Sequence, residues 1–267
     1  MKKERVDVLC VEQGLFESRE KAKRAIMAGI VRDDYDYIDK PGTKIPVDSH
    51  LFIKGEKLPY VSRGGLKLEK ALKEFQLDIN NMIMLDIGSS TGGFTDCALQ
   101  NGAKQVYALD VGTNQLAWKL RNDKRVYVME QTNFRYATLD MFLYGQPEFV
   151  SIDVSFISLK HIFPPLNTIL KKDGYIVALI KPQFEAGKDD VGKHGIVSDQ
   201  SIHQRVIQEV IDYAHASHMS IKGLTYSPIT GGVGNIEFLA CFQNSEKEDS
   251  DVNIEKTVQI AHEHFKR

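Results

Sequence analysis

Much that would mark a disulfide-held, metal-bound or membrane-spanning protein is missing from this chain. Its 267 residues hold three cysteines, Cys10, Cys97 and Cys241. An odd, scattered set argues against a disulfide framework and fits a reducing cytosol. There is no Cys-x-x-Cys and no Cys/His cluster, so no metal is expected. Apolar runs such as Tyr175–Ile180 fall far short of the roughly 18 residues that would span a bilayer. Met1-Lys2-Lys3 is basic, but an amphipathic, charged segment follows it, not the apolar core of a signal peptide. A cytoplasmic protein without stable membrane association is the expectation. Nor is one sign of charge in excess. Lys and Arg number 34 against 36 Asp and Glu, a net charge of −2, which excludes a uniformly basic, histone-like binder.

What is present reads as an ordinary globular protein, 42% hydrophobic and 26% charged. At about 150 residues per domain the length suggests roughly two domains. The charge is uneven. Residues 1–32 carry eight Lys/Arg against five Asp/Glu, and residues 54–73 carry six against two. Two basic segments near one end of a near-neutral chain suggest a catalytic body with a polyanion-gripping front.

The front predicts two short helices. Val6, Leu9 and Cys10 share one face, and Gly14 stops the first helix. Ser18 caps the second, Glu20 sits in its first turn, and Ala22, Ala25 and Ile26 make its apolar stripe before Gly29. Short strands follow at Ile30-Val31-Arg32 and Leu51-Phe52-Ile53, with Lys40-Pro41-Gly42-Thr43 as a turn. Ser18-Arg19-Glu20-Lys21-Ala22, with Ile26 and Gly29 behind it and short strands after, resembles the S-four RNA-binding domain. That resemblance implies a basic second helix laid against RNA phosphates through Arg19, Lys23 and Arg24. Arg5, Lys21 and, further on, Arg63 are additional RNA candidates. Phosphate contacts of this kind position a nucleic acid without reading its sequence. The usual Asn-Gly-type turn is replaced here by Asp33-Asp34-Tyr35-Asp36.

From residue 82 short β-type runs alternate with helix-length segments. The runs are Met82–Asp86, Gln105–Asp110, Arg125–Glu130, Phe149–Asp153 and Tyr175–Lys181. Near-continuous apolar strands between helices predict a parallel sheet covered on both faces. After a helix near 201–218 come Ile221–Tyr226 and Ile236–Phe242. Thr230-Gly231-Gly232-Val233-Gly234 joins them, too short a loop for a helical crossover. The expected fold is α/β: a seven-stranded mixed sheet, its last two strands antiparallel, behind a small N-terminal α+β module, an arrangement that resembles the Rossmann-like S-adenosylmethionine methyltransferase domain. The expected boundaries are 1–58 for the module, 59–64 for a linker and 65–267 for the methyltransferase domain.

Leu85-Asp86-Ile87-Gly88-Ser89-Ser90-Thr91-Gly92-Gly93-Phe94 follows the first strand of that sheet and opens a helix. Its glycines let backbone approach a ligand, and the helix start offers N–H groups. It is neither G-x-G-x-x-G nor a Gly-Lys-Ser/Thr phosphate loop. Asp110 ends the next strand, where a carboxylate accepts both ribose hydroxyls of an adenosine. Asp86 adds negative charge, which suits a sulfonium and an ammonium better than a pyrophosphate. Gln131 and Asn133 fall where an adenine edge would lie. S-adenosylmethionine is therefore the expected cofactor, held by Asp86, Gly88, Ser89, Ser90, Gly92, Gly93, Phe94, Asp110, Gln131 and Asn133.

The stretch Ser151-Ile152-Asp153-Val154-Ser155-Phe156 lacks the prolines of enzymes that methylate base amines. No cysteine sits where a carbon-methylating nucleophile would. Lysines stand out instead. Lys67, Asp153, Lys181 and Glu237 form, in chain order, a Lys-Asp-Lys-Glu set that resembles the FtsJ-like ribose 2′-O-methyltransferases. With the front module, nearly the whole chain resembles the TlyA family, many of whose members were first labelled haemolysins. The matching motifs are Ser62–Leu68, Asp86–Phe94, Ser151–Phe156, Lys181-Pro182-Gln183-Phe184-Glu185 and Gly234-Asn235-Ile236-Glu237. The resemblance implies 2′-O-methylation of ribosomal RNA, at a cytidine, on ribosomal subunits. A ribose hydroxyl is a poor nucleophile, so the site must take its proton, aim its oxygen and stabilise developing charge. Lys181 is the expected base, Asp153 and Lys67 its positioning and oxyanion-stabilising partners, and Glu237 their support. A non-catalytic RNA-binding assembly factor and a membrane-lysing protein are the alternatives.

Overall fold

The computed structural model describes residues 3–27, 29–33, 38, 40–53, 59–231 and 233–265. The chain divides between residues 58 and 59 into two units. Tyr35 and Asp36 of the acidic turn, with their neighbours 34 and 37, lie outside the described residues, as do 54–58 and Gly232.

The first unit runs β1 (Lys3–Arg5), α1 (Val6–Glu12), α2 (Arg19–Met27), β2 (Val31–Arg32), β3 (Lys44–Pro46) and β4 (Phe52–Ile53). Strand β1 was missed by the sequence reading, because three charged residues carry no apolar pattern. It pairs antiparallel with β3, Lys3 opposite Pro46 and Arg5 opposite Lys44. A second two-stranded ladder joins β2 to β4. Val6, Leu9, Cys10, Ala22, Ala25, Ile26, Val31, Ile45 and Leu51 make the core. The Gln13 side chain ties the far loop to α1. It donates to Ser49 O at 2.7 Å and accepts from Leu51 N–H at 3.0 Å.

The second unit opens with residues 59–63, which pack rather than span. Tyr60 is buried and its hydroxyl donates to Glu69 Oε1 at 2.8 Å. The Val61 N–H donates to Asp96 Oδ2 at 2.8 Å. Then follow α3 (Gly64–Glu74), β5 (Ile83–Ile87), α4 (Gly93–Gln100), β6 (Gln105–Leu109), α5 (Trp118–Arg121), β7 (Val126–Met129) and β8 (Phe149–Ile152). The remainder is α6 (Phe163–Ile169), β9 (Tyr175–Ile180), α7 (Pro182–Glu185), α8 (Gln200–Ala216), β10 (Ser220–Tyr226), β11 (Phe238–Gln243) and α9 (Ile254–Phe265).

One seven-stranded sheet results, in the order β10-β11-β9-β8-β5-β6-β7. Strands β5 to β9 are parallel. Strand β11 runs against both β9 and β10, so of the last two strands only β11 is reversed. Alternate side chains enter opposite layers. Met84, Val106, Ala108, Val177 and Leu179 pack with Leu68, Leu72 and Ala98 of α3 and α4. Leu85, Ile87, Tyr107, Ile176 and Ala178 pack with Leu166 of α6, Val206 and Val210 of α8, and Val258 of α9. The chain order reverses between β5 and β8, which pair directly. Ligand crevices form at such switch points, outside the carboxyl ends of the strands.

Helix α8 is joined to α9 by a buried imidazole pair. His203 is fully buried; its Nε2 lies 3.0 Å from Val197 O, and its Nδ1 lies 2.9 Å from His262 Nε2. Since the carbonyl can only accept, His203 Nε2 carries the proton and Nδ1 accepts from His262. Burial, aided by His262, lowers the His203 pKa to about 4. The unfolded chain therefore binds a proton between about pH 6.5 and 4 that the folded chain does not, and stability falls as pH drops through that window. The His203→Gln variant lacks this linkage. Its deficit in Tm relative to the wild type should narrow steadily as pH is lowered from 7 to 4.5. A pH-independent deficit would contradict a neutral buried His203.

Candidate active site

Two strand ends meet at the switch point. In β5 and β8, Asp86 stands opposite Ser151. The Ser151 hydroxyl donates to Asp86 Oδ1 at 2.9 Å, and the Thr95 hydroxyl of α4 donates to Oδ2 at 2.7 Å. Asp86 is fully buried, and burial pushes its carboxyl up to about 6 despite those two donors. Asp86 is not among the residues lining the cavity described below; its carboxyl ties α4 to β8 behind the glycine loop.

Glycine is required where that loop turns. Gly88 has φ +85°, and a Cβ there would stand 2.2 Å from the Asp153 carbonyl oxygen. Gly92 has φ +99°, with Leu120 Cδ1 2.3 Å from an added Cβ. A Cβ on Gly93 would lie 2.8 Å from the Gly65 nitrogen, so α3 and the start of α4 approach backbone to backbone. Beyond β6, Asp110 accepts from Ser90 N–H at 2.8 Å and Gly112 N–H at 2.7 Å, fixing its carboxylate beside the loop. Gln131 is exposed, with φ +55°. Asn133 caps a short 3₁₀ turn by accepting from Arg135 N–H at 3.2 Å, which occupies its carbonyl locally.

Lys67 from α3, Asp153 after β8, Lys181 after β9 and Glu237 before β11 converge. Lys67 Nζ donates to Glu237 Oε2 at 2.7 Å and lies 3.8 Å from Asp153 Oδ2. Lys181 Nζ lies 2.6 Å from Asp153 Oδ1 and donates to Ser155 Oγ at 3.2 Å. Gln183 Nε2 donates to Glu237 Oε1 at 3.4 Å. Burial alone would push Lys67 toward neutrality. Asp153 and Glu237 outweigh it and hold the ammonium above the ordinary lysine range. Burial likewise works against the Asp153 carboxylate, but Lys67 and Lys181 hold it below the usual range.

All four residues line a cavity of about 330 Å³, a size within the range of small-molecule sites. Gly88, Ser89, Ser90, Gly93 and Phe94 also line it, as does Arg63. The sequence reading missed Ser155 and Gln183, and it treated Thr230-Gly231 as a hairpin loop only. Thr230 and Gly231 line the cavity, and a Cβ on Gly231 would stand 2.6 Å from Glu237 Oε1. Thiol chemistry is disfavoured, since burial pushes Cys97 and Cys241 up to about 12.

Residues 60–244 match the FtsJ-like methyltransferase family. The chain belongs to that family. Among curated relatives, "Putative rRNA methyltransferase YqxC" of Bacillus subtilis is 64% identical over 238 residues, 89% of this chain and 85% of the relative. The 16S/23S rRNA (cytidine-2′-O)-methyltransferase TlyA of Mycobacterium tuberculosis is 41% identical over 235 residues, 88% of this chain and 87% of the relative. A solved structure titled "Putative hemolysin from Streptococcus thermophilus" superposes with TM-score 0.80 at 57% identity, covering 99% of this chain and 98% of that one.

An FtsJ-like methyltransferase uses S-adenosylmethionine, and the residues present fit it. The loop from Gly88 to Gly93 lines the cavity with small residues only. Asp110 sits beside it with lone pairs left for ribose hydroxyls, and Asp153 offers a carboxylate within the cavity. Gly88→Ala forces the Asp153 carbonyl to move. It is expected to lower Tm and to weaken S-adenosylmethionine binding at least about tenfold in calorimetric titration, given strain and collision together. Unchanged affinity would mean that the loop does not carry the cofactor.

Proposed function

We propose that this chain methylates the ribose 2′-hydroxyl of a nucleotide in ribosomal RNA, a cytidine by likeness to the mycobacterial relative, on ribosomal subunits in the cytoplasm. The Lys67–Asp153–Lys181–Glu237 cluster carries the reading. S-adenosylmethionine would supply an electrophilic methyl on a sulfonium, whose sulfur leaves as a neutral thioether when the carbon–sulfur bond breaks.

The two lysines sit in different surroundings, which separates their roles. Lys67 lies between two carboxylates and is held as a cation. Lys181 has one carboxylate and one hydroxyl as neighbours. A neutral amine has two hydrogens and one lone pair. To serve as the base Lys181 must give up its proton; its two remaining hydrogens then face Asp153 and Ser155, and its lone pair is left for a hydroxyl in the cavity. Lys181 then accepts the 2′-hydroxyl proton as the oxygen–methyl bond forms. Lys67, cationic beside it, stabilises charge developing on that oxygen. Glu237 and Asp153 fix both side-chain nitrogens in place.

The first unit, read as an S-four-like RNA-binding domain, would hold the RNA backbone through Arg5, Arg19, Lys21, Lys23 and Arg24. An RNA-binding assembly factor or a lytic protein has no need for this cluster. Burying two lysines against two carboxylates is costly, and replacing them with apolar side chains would be neutral or favourable for the fold alone.

Lys181→Ala should reduce methyl transfer to ribosomal subunits at least about 100-fold, the scale of a lost general base. Its S-adenosylmethionine affinity should stay within about threefold. Retention of more than a tenth of the wild-type rate would remove Lys181 from the base role.

A further inference from the structure

In the first unit one carboxylate organises two arginines. Asp7 is fully buried, yet its partners lie at the surface. Arg5 donates through Nε to Oδ1 at 2.9 Å and through Nη2 to Oδ2 at 3.3 Å. Arg19, at the start of α2, donates through Nη2 to Oδ2 at 2.8 Å. The side chains of Arg5 and Arg19 stay 40% and 51% exposed. The backbone on either side is fixed as well. Val6 N–H donates to Thr43 O at 2.9 Å and Asp7 N–H to Pro41 O at 3.2 Å. Between them, a Cβ on Gly42 would stand 3.3 Å from Arg5 Nη1, so that turn closes against the guanidinium.

One arginine would neutralise Asp7. The second leaves these three side chains one positive charge in excess, with Glu4 the neighbouring anion beside Arg5, and several N–H donors not used on Asp7, since each guanidinium carries five. By contrast, Lys21 and Lys23 pair with the exposed Glu17 and Glu20 of their own neighbourhood, contacts of little strength that fix no geometry.

We propose that Asp7 is a positioning residue that sets Arg5 and Arg19 as a two-guanidinium fork for a single backbone phosphate of RNA. The inference rests on the reading of the first unit as the RNA-gripping module. A phosphodiester offers two non-bridging oxygens, and planar guanidiniums match them with paired, charge-assisted hydrogen bonds. Long arginine side chains normally lose rotamer freedom when they bind. Asp7 imposes that order beforehand, which is the advantage of preorganisation.

Asp7→Asn separates this from simple charge attraction. Removing a negative charge makes the unit more basic, so charge alone requires tighter binding to a polyanion. The fork requires weaker binding, because an amide offers one acceptor oxygen and turns its NH2 toward a guanidinium. Binding of purified bacterial ribosomal subunits by the full chain should weaken about tenfold in Asp7→Asn. The charge-conserving double variant Arg5→Lys, Arg19→Lys should weaken to a similar extent, since a lysine cannot reproduce the paired guanidinium contact. Melting curves read folding separately, and if Asp7→Asn fails to fold, the double variant alone decides. Wild-type or tighter binding by a folded Asp7→Asn overturns the inference, as does wild-type binding by the double variant. In either case the RNA-binding reading survives, because the wild type still binds. Absence of subunit binding by the wild type itself would remove both.

Discussion

Four charges held together at the end of a sheet are the constraint on which the rest of this structure turns. Lys67 and Glu237 are 170 residues apart in sequence and 2.7 Å apart in space. Asp153 and Lys181 arrive on the ends of two neighbouring parallel strands. The cluster therefore exists only when α3, β8, β9 and β11 are all in place. Burying two lysines against two carboxylates costs solvation that apolar side chains would not. A fold optimised for stability alone would not keep it. The arrangement fits the proposed handling of a proton and a developing negative charge.

Neighbouring features serve that point. Gly88 lets β5 pass against the Asp153 carbonyl, so the cofactor loop and the proposed proton acceptor's partner are set by one backbone contact. Asp86, tied to Ser151 and Thr95, holds β8 and the start of α4 at that same place. The buried thiols of Cys97 and Cys241 are driven far from ionisation near neutral pH, so neither is a ready nucleophile.

The parallel strands were legible in the sequence because strands buried on both faces read as near-unbroken apolar runs such as Tyr175–Ile180. The glycine loop was legible because only a sharp strand-to-helix turn concentrates glycine after such a run. The four charged residues could be named in order, but not their pairing, since spacing along the chain says nothing of which lysine meets which carboxylate. Asp86 illustrates the limit. Its strand position was clear, yet whether the carboxylate faced the cavity or the layer behind it depended on Thr95 and Ser151. Residues 59–63 looked like a linker from Pro59 and Ser62, but the contacts that bind them to α3 and α4 are tertiary. Strand β1 left no periodic trace at all, and with it went the juxtaposition of Arg5, Asp7 and Arg19.

The position of the transferred methyl group tests the account most directly. Wild-type protein would be incubated with methyl-labelled S-adenosylmethionine and unmodified bacterial ribosomal subunits, and the RNA digested to nucleosides. The lysine–carboxylate cluster predicts that the label resides in a 2′-O-methylated nucleoside. Label on a base nitrogen or carbon would contradict it.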